Sequence, residues 1–124
     1  FAFGKFNNTP FIGLPGNPVA AVITFLMLVV NYLQKLSGIE KNEIIERLIP
    51  SNFEMVKKTG RTEWLRGSLK KKNNNYFLEK FHTSGSGIIS SISQTDGIIE
   101  INENIKYIKK GTLLKFYRYE DILS

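Results

Sequence analysis

The sequence predicts an α+β chain in two parts: the closing strand–turn–helix of an α/β domain over residues 1–45, then a small β-barrel over residues 46–124. One observation is a single long apolar run, Val19 to Val30, flanked by helix start and stop signals. Another is the change of texture beyond Glu46, where short β-like runs are cut at regular intervals by turn residues.

The elements follow in order. Residues 1–6 and 10–14 read as two short strands joined by a polar turn at Asn7, Asn8 and Thr9. A helix is expected from about Pro18 to Ser37. Asn17 is a good N-cap, and Pro18 at the first helical position loses an N–H that would be unbonded anyway. Gly38 suits the left-handed residue after the last turn, and Lys35 complements the negative end of the dipole. A helix apolar on most sides is expected to be buried on most sides. Two short strands and one such helix cannot enclose a core, so they read as the end of an α/β domain. Glu40 to Arg47 reads as a charged amphipathic connector with Ile44, Ile45 and Leu48 as its apolar members, closed by Pro50. Strands are then expected over 53–58, 62–70, 76–81, 97–101 and 112–119. Gly60, the asparagines 73–75, the Ser/Gly run 84–87, Asp96-Gly97 and Lys110-Gly111 separate them. Leu65, Leu69, Ile99 and Leu114 are the expected core.

Composition narrows the function classes. With 42% hydrophobic and 23% charged residues over 124 positions, the chain is a packed globule rather than a disordered tail. The absence of cysteine removes disulfides, thiolate metal sites and thiol nucleophiles, and it fits a reducing compartment, with the cytoplasm the expected location. A lone His82 leaves no histidine cluster for a metal. The net charge of +6 comes from lysines interleaved with Glu, Asn and Ile rather than a dense basic stripe, so no nucleic-acid partner is expected. AT-rich codons for Ile, Lys and Asn are the simpler account of that charge. The twelve-residue apolar run is shorter than the ~18–20 residues that span a bilayer, so no membrane partner is expected either. The chain opens on Phe1, with no charged region leading into an apolar stretch, and is expected to be a piece of a longer protein.

Three strings could carry chemistry. Gly13, Leu14, Pro15, Gly16, Asn17 and Pro18 form a stiffened turn into a helix N-terminus, where free N–H groups suit phosphate or carboxylate. The plain alternative is a well-made β–α turn. In the second string, strand alternation puts Leu65 and Leu69 on one face and Trp64 and Arg66 on the other. An outward arginine beside an outward tryptophan is either a docking or anion site, or simply a guanidinium lying over an aromatic ring. The third is the Ser84–Gly87 loop, whose small residues expose N–H and O–H donors suited to an oxyanion. A hairpin folded about Asn73 and Asn74 sets Phe81 opposite Arg66, so the Ser86 loop starts close to that arginine.

These strings, in this order and spacing, resemble the C-terminal part of the molybdopterin molybdenumtransferase family, of the bacterial MoeA and eukaryotic gephyrin E-domain type. The matching segments are Phe3-Gly4, Gly13 to Pro18, Gly60 to Arg66, Ser84 to Gly87 and Asp96 to Ile99. Ser84 stands where the family has Gln, and Trp64 where it has Phe. The resemblance implies an enzyme that inserts molybdate into adenylylated molybdopterin (molybdopterin-AMP) with Mg2+, as a homodimer of several domains. By the same likeness, Arg66 and Ser86 are the molybdate-contacting residues, and residues 13–18 form the molybdopterin-side loop. The family's Lys-Pro-Gly-Lys segment and its metal-binding carboxylates would precede Phe1. The alternative implied by the eukaryotic relatives is a non-enzymatic scaffold module.

Overall fold

The computed structural model describes residues 2–13, 18–39, 44–81 and 92–123. The chain divides into two compact units, Phe1–Glu43 with Ile122–Ser124, and Ile44–Asp121.

In the first unit, β1 (Ala2–Phe6) pairs antiparallel with β2 (Thr9–Gly13), Phe6 standing opposite Thr9. The two residues between them, Asn7 and Asn8, have φ of 49° and 67°. Two successive left-handed residues give the turn whose twist matches that of the strands it joins, and asparagine tolerates that region better than most residues. The helix expected from Pro18 is present as α1 (Pro18–Thr24), a π-helical turn at Phe25–Val29, and α2 (Val30–Leu36). Within the π turn the Val30 N–H reaches back five residues to the Phe25 carbonyl. Gly38 ends the helix at φ +75°. Its N–H donates to the Lys35 carbonyl at 3.1 Å and that of Ile39 to Gln34 at 3.0 Å, the paired bonds that satisfy the last orphan carbonyls. Phe3 meets Tyr32 edge to face, with centroids 5.1 Å apart.

The second unit is mostly sheet. Five antiparallel strands run in the order β3 (Arg47–Pro50), β9 (Leu113–Arg118), β7 (Gly97–Ile101), β5 (Glu63–Lys72), β6 (Asn75–Lys80). The outer strands approach each other through the Ser51–Leu78 bridge and the Asn52 N–H donating to the Leu78 carbonyl at 2.8 Å. The sheet is therefore nearly closed and barrel-like. A two-stranded sheet of β4 (Met55–Val56) and β8 (Tyr107–Ile108) accompanies it, and α3 (Tyr119–Leu123) follows β9. Alternation along each strand builds the core: Ile49, Leu78, Ile99, Ile101, Leu114 and Phe116 are buried together. Gly67 faces Gly97 between β5 and β7, and a Cβ at Gly97 would lie 2.2 Å from the Tyr117 carbonyl oxygen. No side chain fits there.

Several expectations are corrected. The connector contains a strand, because Arg47–Pro50 pairs with β9, Ile49 opposite Leu114. Its charged residues hid an inward row of Arg47 and Ile49. The strand expected over 53–58 contracts to Met55–Val56, and β8 and α3 were not anticipated. Leu65 and Leu69 are half-buried residues packed against the core rather than fully inside it, while Ile99 and Leu114 are buried as expected. The helix buries Ile23, Leu26 and Val29 but leaves Phe25, Leu28, Leu33 and Leu36 exposed. Its apolar positions encircle the axis, whereas the described part of this unit offers only a two-stranded hairpin to cover them.

Candidate functional site

The site is built on β5. Leu65 pairs with Ile99 on the core face, which puts Trp64, opposite Glu100, and Arg66, opposite Ile98, on the other face. Both are half-buried, not freely exposed.

Trp64 belongs to a polar network. Its Nε1–H donates to Glu100 Oε1 at 2.9 Å. The Tyr117 hydroxyl lies 3.3 Å from carboxylate oxygens of both Glu46 and Glu100, and Lys115 Nζ is 3.9 and 3.8 Å from the same two groups. Burial, then the charges of Glu100 and Glu46, push the Tyr117 phenol well above its ordinary value. Within it the Trp64 indole N–H is taken up by Glu100, while Glu46 and Lys115 lie at its exposed edge.

Arg66 is held differently. Its guanidinium carbon sits 5.0 Å from the centroid of the Phe81 ring. Among the described residues no carboxylate lies within ion-pair distance of it. The aromatic ring beneath the arginine is therefore Phe81, not the neighbouring Trp64. The charge of Arg66 is also felt at Tyr119, whose phenol burial pushes up while the Thr95 hydrogen bond and Arg66 pull it back. The Tyr119 and Thr95 hydroxyls are 2.7 Å apart.

The segment that contains Ser86 is anchored at both ends to β5 beside Arg66. On entry, the Phe81 N–H donates to the Arg66 carbonyl at 2.9 Å. On return, the Asp96 N–H donates to the Gly67 carbonyl at 2.8 Å, and Asp96 Oδ2 accepts the Leu69 N–H at 2.7 Å. Ser68 Oγ donates to the Gln94 carbonyl at 3.2 Å. Ser84, Ser86 and Gly87 themselves lie outside the described residues, as does His82. Of the first string, Gly13 closes β2 and Pro18 opens α1, while Leu14, Pro15, Gly16 and Asn17 lie outside the described residues. The roles of Asp96, Thr95 and Tyr119 had no sequence signal. The Arg66–Phe81 pairing had one, in the register set by Asn73 and Asn74 at φ 51° and 66°.

Elsewhere among the described residues there are further cavities, two of which stand out. One, of about 460 Å³, is lined by Arg47, Ile49, Leu69, Tyr76 and Arg118. Its two arginines are paired, Arg47 with Asp121 at 3.4 Å and Arg118 with Glu120. The other, of about 410 Å³ in the first unit, is apolar and lined by Phe3, Ile12, Leu28, Val29 and Tyr32. Among the described residues no three His, Cys, Asp or Glu side chains are placed to hold a metal, and no helix is long and apolar enough to cross a membrane.

Comparison with known proteins bears on this arrangement. Residues 49–119 match the family model of the MoeA C-terminal region (domain IV). A protein of Methanocaldococcus jannaschii named for molybdopterin biosynthesis is 30% identical over 117 residues, covering 94% of this chain and 26% of the relative. A molybdopterin molybdenumtransferase of Haemophilus influenzae is 58% identical over 38 residues, 31% of this chain and 9% of its own. The crystal structure of a MoeA protein from Pyrococcus horikoshii superposes with a TM-score of 0.72 over 94% of this chain and 28% of that one, at 24% identity. The chain thus spans about a quarter of the length of such relatives. The barrel-like sheet that presents Arg66 is the MoeA domain IV fold, and the chain belongs to the MoeA family.

Proposed function

We propose that this chain supplies the oxyanion-binding part of a molybdopterin molybdenumtransferase, acting in molybdenum cofactor biosynthesis by inserting molybdate into adenylylated molybdopterin. Arg66 and Ser86 bind molybdate, and residues 13–18 contact the molybdopterin side. The observation that carries the reading is Arg66, a half-buried guanidinium with no carboxylate partner among the described residues, beside both anchors of the Ser86 segment. A tetrahedral dianion suits a cationic fork with neutral hydroxyl donors, which hold it by charge-assisted hydrogen bonds. Residues 1–45 belong, in this reading, to a molybdopterin-binding α/β domain and residues 46–124 to the barrel domain of a cytoplasmic homodimer. Among the described residues no three His, Cys, Asp or Glu side chains are grouped to hold Mg2+, and its ligands belong, in this reading, to another part of the protein.

The test is molybdate-dependent cofactor formation by the full-length protein across a molybdate titration. Arg66→Ala and Ser86→Ala each remove hydrogen bonds worth about 1.5–3 kcal/mol, hence roughly 10- to 150-fold in the molybdate required. Binding of adenylylated molybdopterin should persist. Their effects should be less than additive, because neighbours on one ion are coupled. Wild-type behaviour of both single variants at limiting molybdate would overturn the assignment. Asn17→Ala should instead weaken molybdopterin binding. A second reading, a non-enzymatic interaction module, is favoured only by the apolar cavity beside Phe3 and Tyr32. It predicts that Leu28→Asp abolishes partner capture while the molybdate titration is unchanged.

A further inference from the structure

We propose that Phe81 is a positioning residue that holds the Arg66 guanidinium in place while leaving its charge free for the oxyanion; this rests on the reading of Arg66 as a molybdate ligand. The last ladder pair of the β5–β6 hairpin is Gly67 with Lys80. One step beyond it, the Phe81 N–H donates to the Arg66 carbonyl, which fixes the two backbones at 2.9 Å. Their side chains then lie on one face, with the guanidinium carbon 5.0 Å from the ring centroid.

The choice of support matters. A carboxylate would orient a guanidinium equally well, and the barrel does this elsewhere: Arg47 is paired with Asp121, and Arg118 with Glu120. Such a pair is electrically closed. It would repel a dianion or have to be broken before the dianion could bind. A ring face attracts the cation through its quadrupole and carries no net charge, so the arginine stays ordered and remains a full cation. Ordering a rotamer-rich side chain before the ligand arrives removes that cost from the binding step. Phe81 thus acts through Arg66 and needs no contact with the ion.

The experiment compares Phe81→Leu, Phe81→Met, Phe81→Tyr and Arg66→Ala in the full-length protein, by molybdate titration of cofactor formation. Leu and Met keep apolar bulk and remove the ring; Tyr keeps the ring face. Loss of a cation–π contact corresponds to about 3- to 30-fold. Phe81→Leu and Phe81→Met should raise half-saturating molybdate by that factor with the saturating rate within about twofold, and Phe81→Tyr should titrate like wild type. Unchanged half-saturation in either non-aromatic variant that folds, or a Tyr variant as weak as Leu, overturns the proposal. So does failure of both non-aromatic variants to fold, since that makes Phe81 a packing residue. Arg66→Ala separates the two levels. If it titrates like wild type, the molybdate reading itself fails; if it is weakened while the folded Leu or Met variant is not, only the role of Phe81 fails.

Discussion

Both units contain an antiparallel hairpin closed by two asparagines at positive φ, Asn7 and Asn8 in one and Asn73 and Asn74 in the other. The second hairpin sits in a five-stranded sheet, and its Leu78 is fully buried. The first is a two-stranded sheet whose Phe6 is 73% exposed, with Phe3 and Phe11 more than half exposed. Equal turn chemistry therefore gives equal local geometry and unequal stability. An isolated hairpin is marginal in water, and what covers its faces decides whether it persists.

The largest expected contrast is in core truncation. Phe116→Ala empties a fully buried position in the barrel and should cost about 3–5 kcal/mol. Phe6→Ala in the first hairpin should stay within about 0.5 kcal/mol. Urea unfolding of the two variants measures this, and similar losses would break the comparison. The next contrast concerns glycines. A Cβ at Gly97 meets backbone, the Tyr117 carbonyl at 2.2 Å and the Arg118 Cα at 2.9 Å, so Gly97→Ala should cost about 1–3 kcal/mol or more. At Gly4 the obstacle is the tip of the half-exposed Phe11 ring at 2.6 Å, which can swing away, and the loss should be under about 1 kcal/mol.

A smaller effect is expected at Gly38, which has open space around it but φ of +75°. Gly38→Ala should cost about 1 kcal/mol, through the backbone alone. Amide exchange should quicken over Val30–Leu36 and remain unchanged in the barrel strands. Exchange that quickens equally in both units would show them to open as one. The smallest effect is alkaline. The Tyr117 phenol is raised in the fold from an ordinary value of 10.0, so the folded state holds its proton more tightly. Its contribution is fully present below pH 10 and is lost as pH rises beyond that. Tyr117→Phe should flatten the alkaline limb of barrel stability and, by removing the hydroxyl that bonds the Glu46 and Glu100 carboxylates, lower the neutral plateau by about 0.5–1 kcal/mol. An unaltered alkaline limb would mean that other groups govern it.

Much of the barrel was legible because its signals are local. The Asn73-Asn74 turn sets the register that brings Phe81 to Arg66, and strand alternation from Gly97 places Ile99 inside. Residues 47–50 were not legible, because their partner β9 is distant in sequence and the inward Arg47 interrupts an apolar alternation. The exposed helix face was misjudged for a related reason: composition reports what a helix could bury, not what is present to bury it. At the site, Arg66 could be singled out from alternation. Its lack of a carboxylate partner among the described residues and the Asp96 anchor depend on contacts between strands that no local pattern encodes.

The pairing of β3 with β9 also bears on how the barrel is made. Arg47 meets Asp121 across 74 residues of sequence, and the first strand of the barrel waits for the last before it has a ladder partner. During vectorial synthesis the β5–β6 hairpin can form as soon as it emerges, and β7 can add to β5. Until β9 follows, β3 has no ladder partner and one edge of β7 stays open, the kind of unpaired edge on which nascent chains aggregate. The closing strand is Leu113–Arg118, and the interval before its arrival is the barrel's most exposed moment.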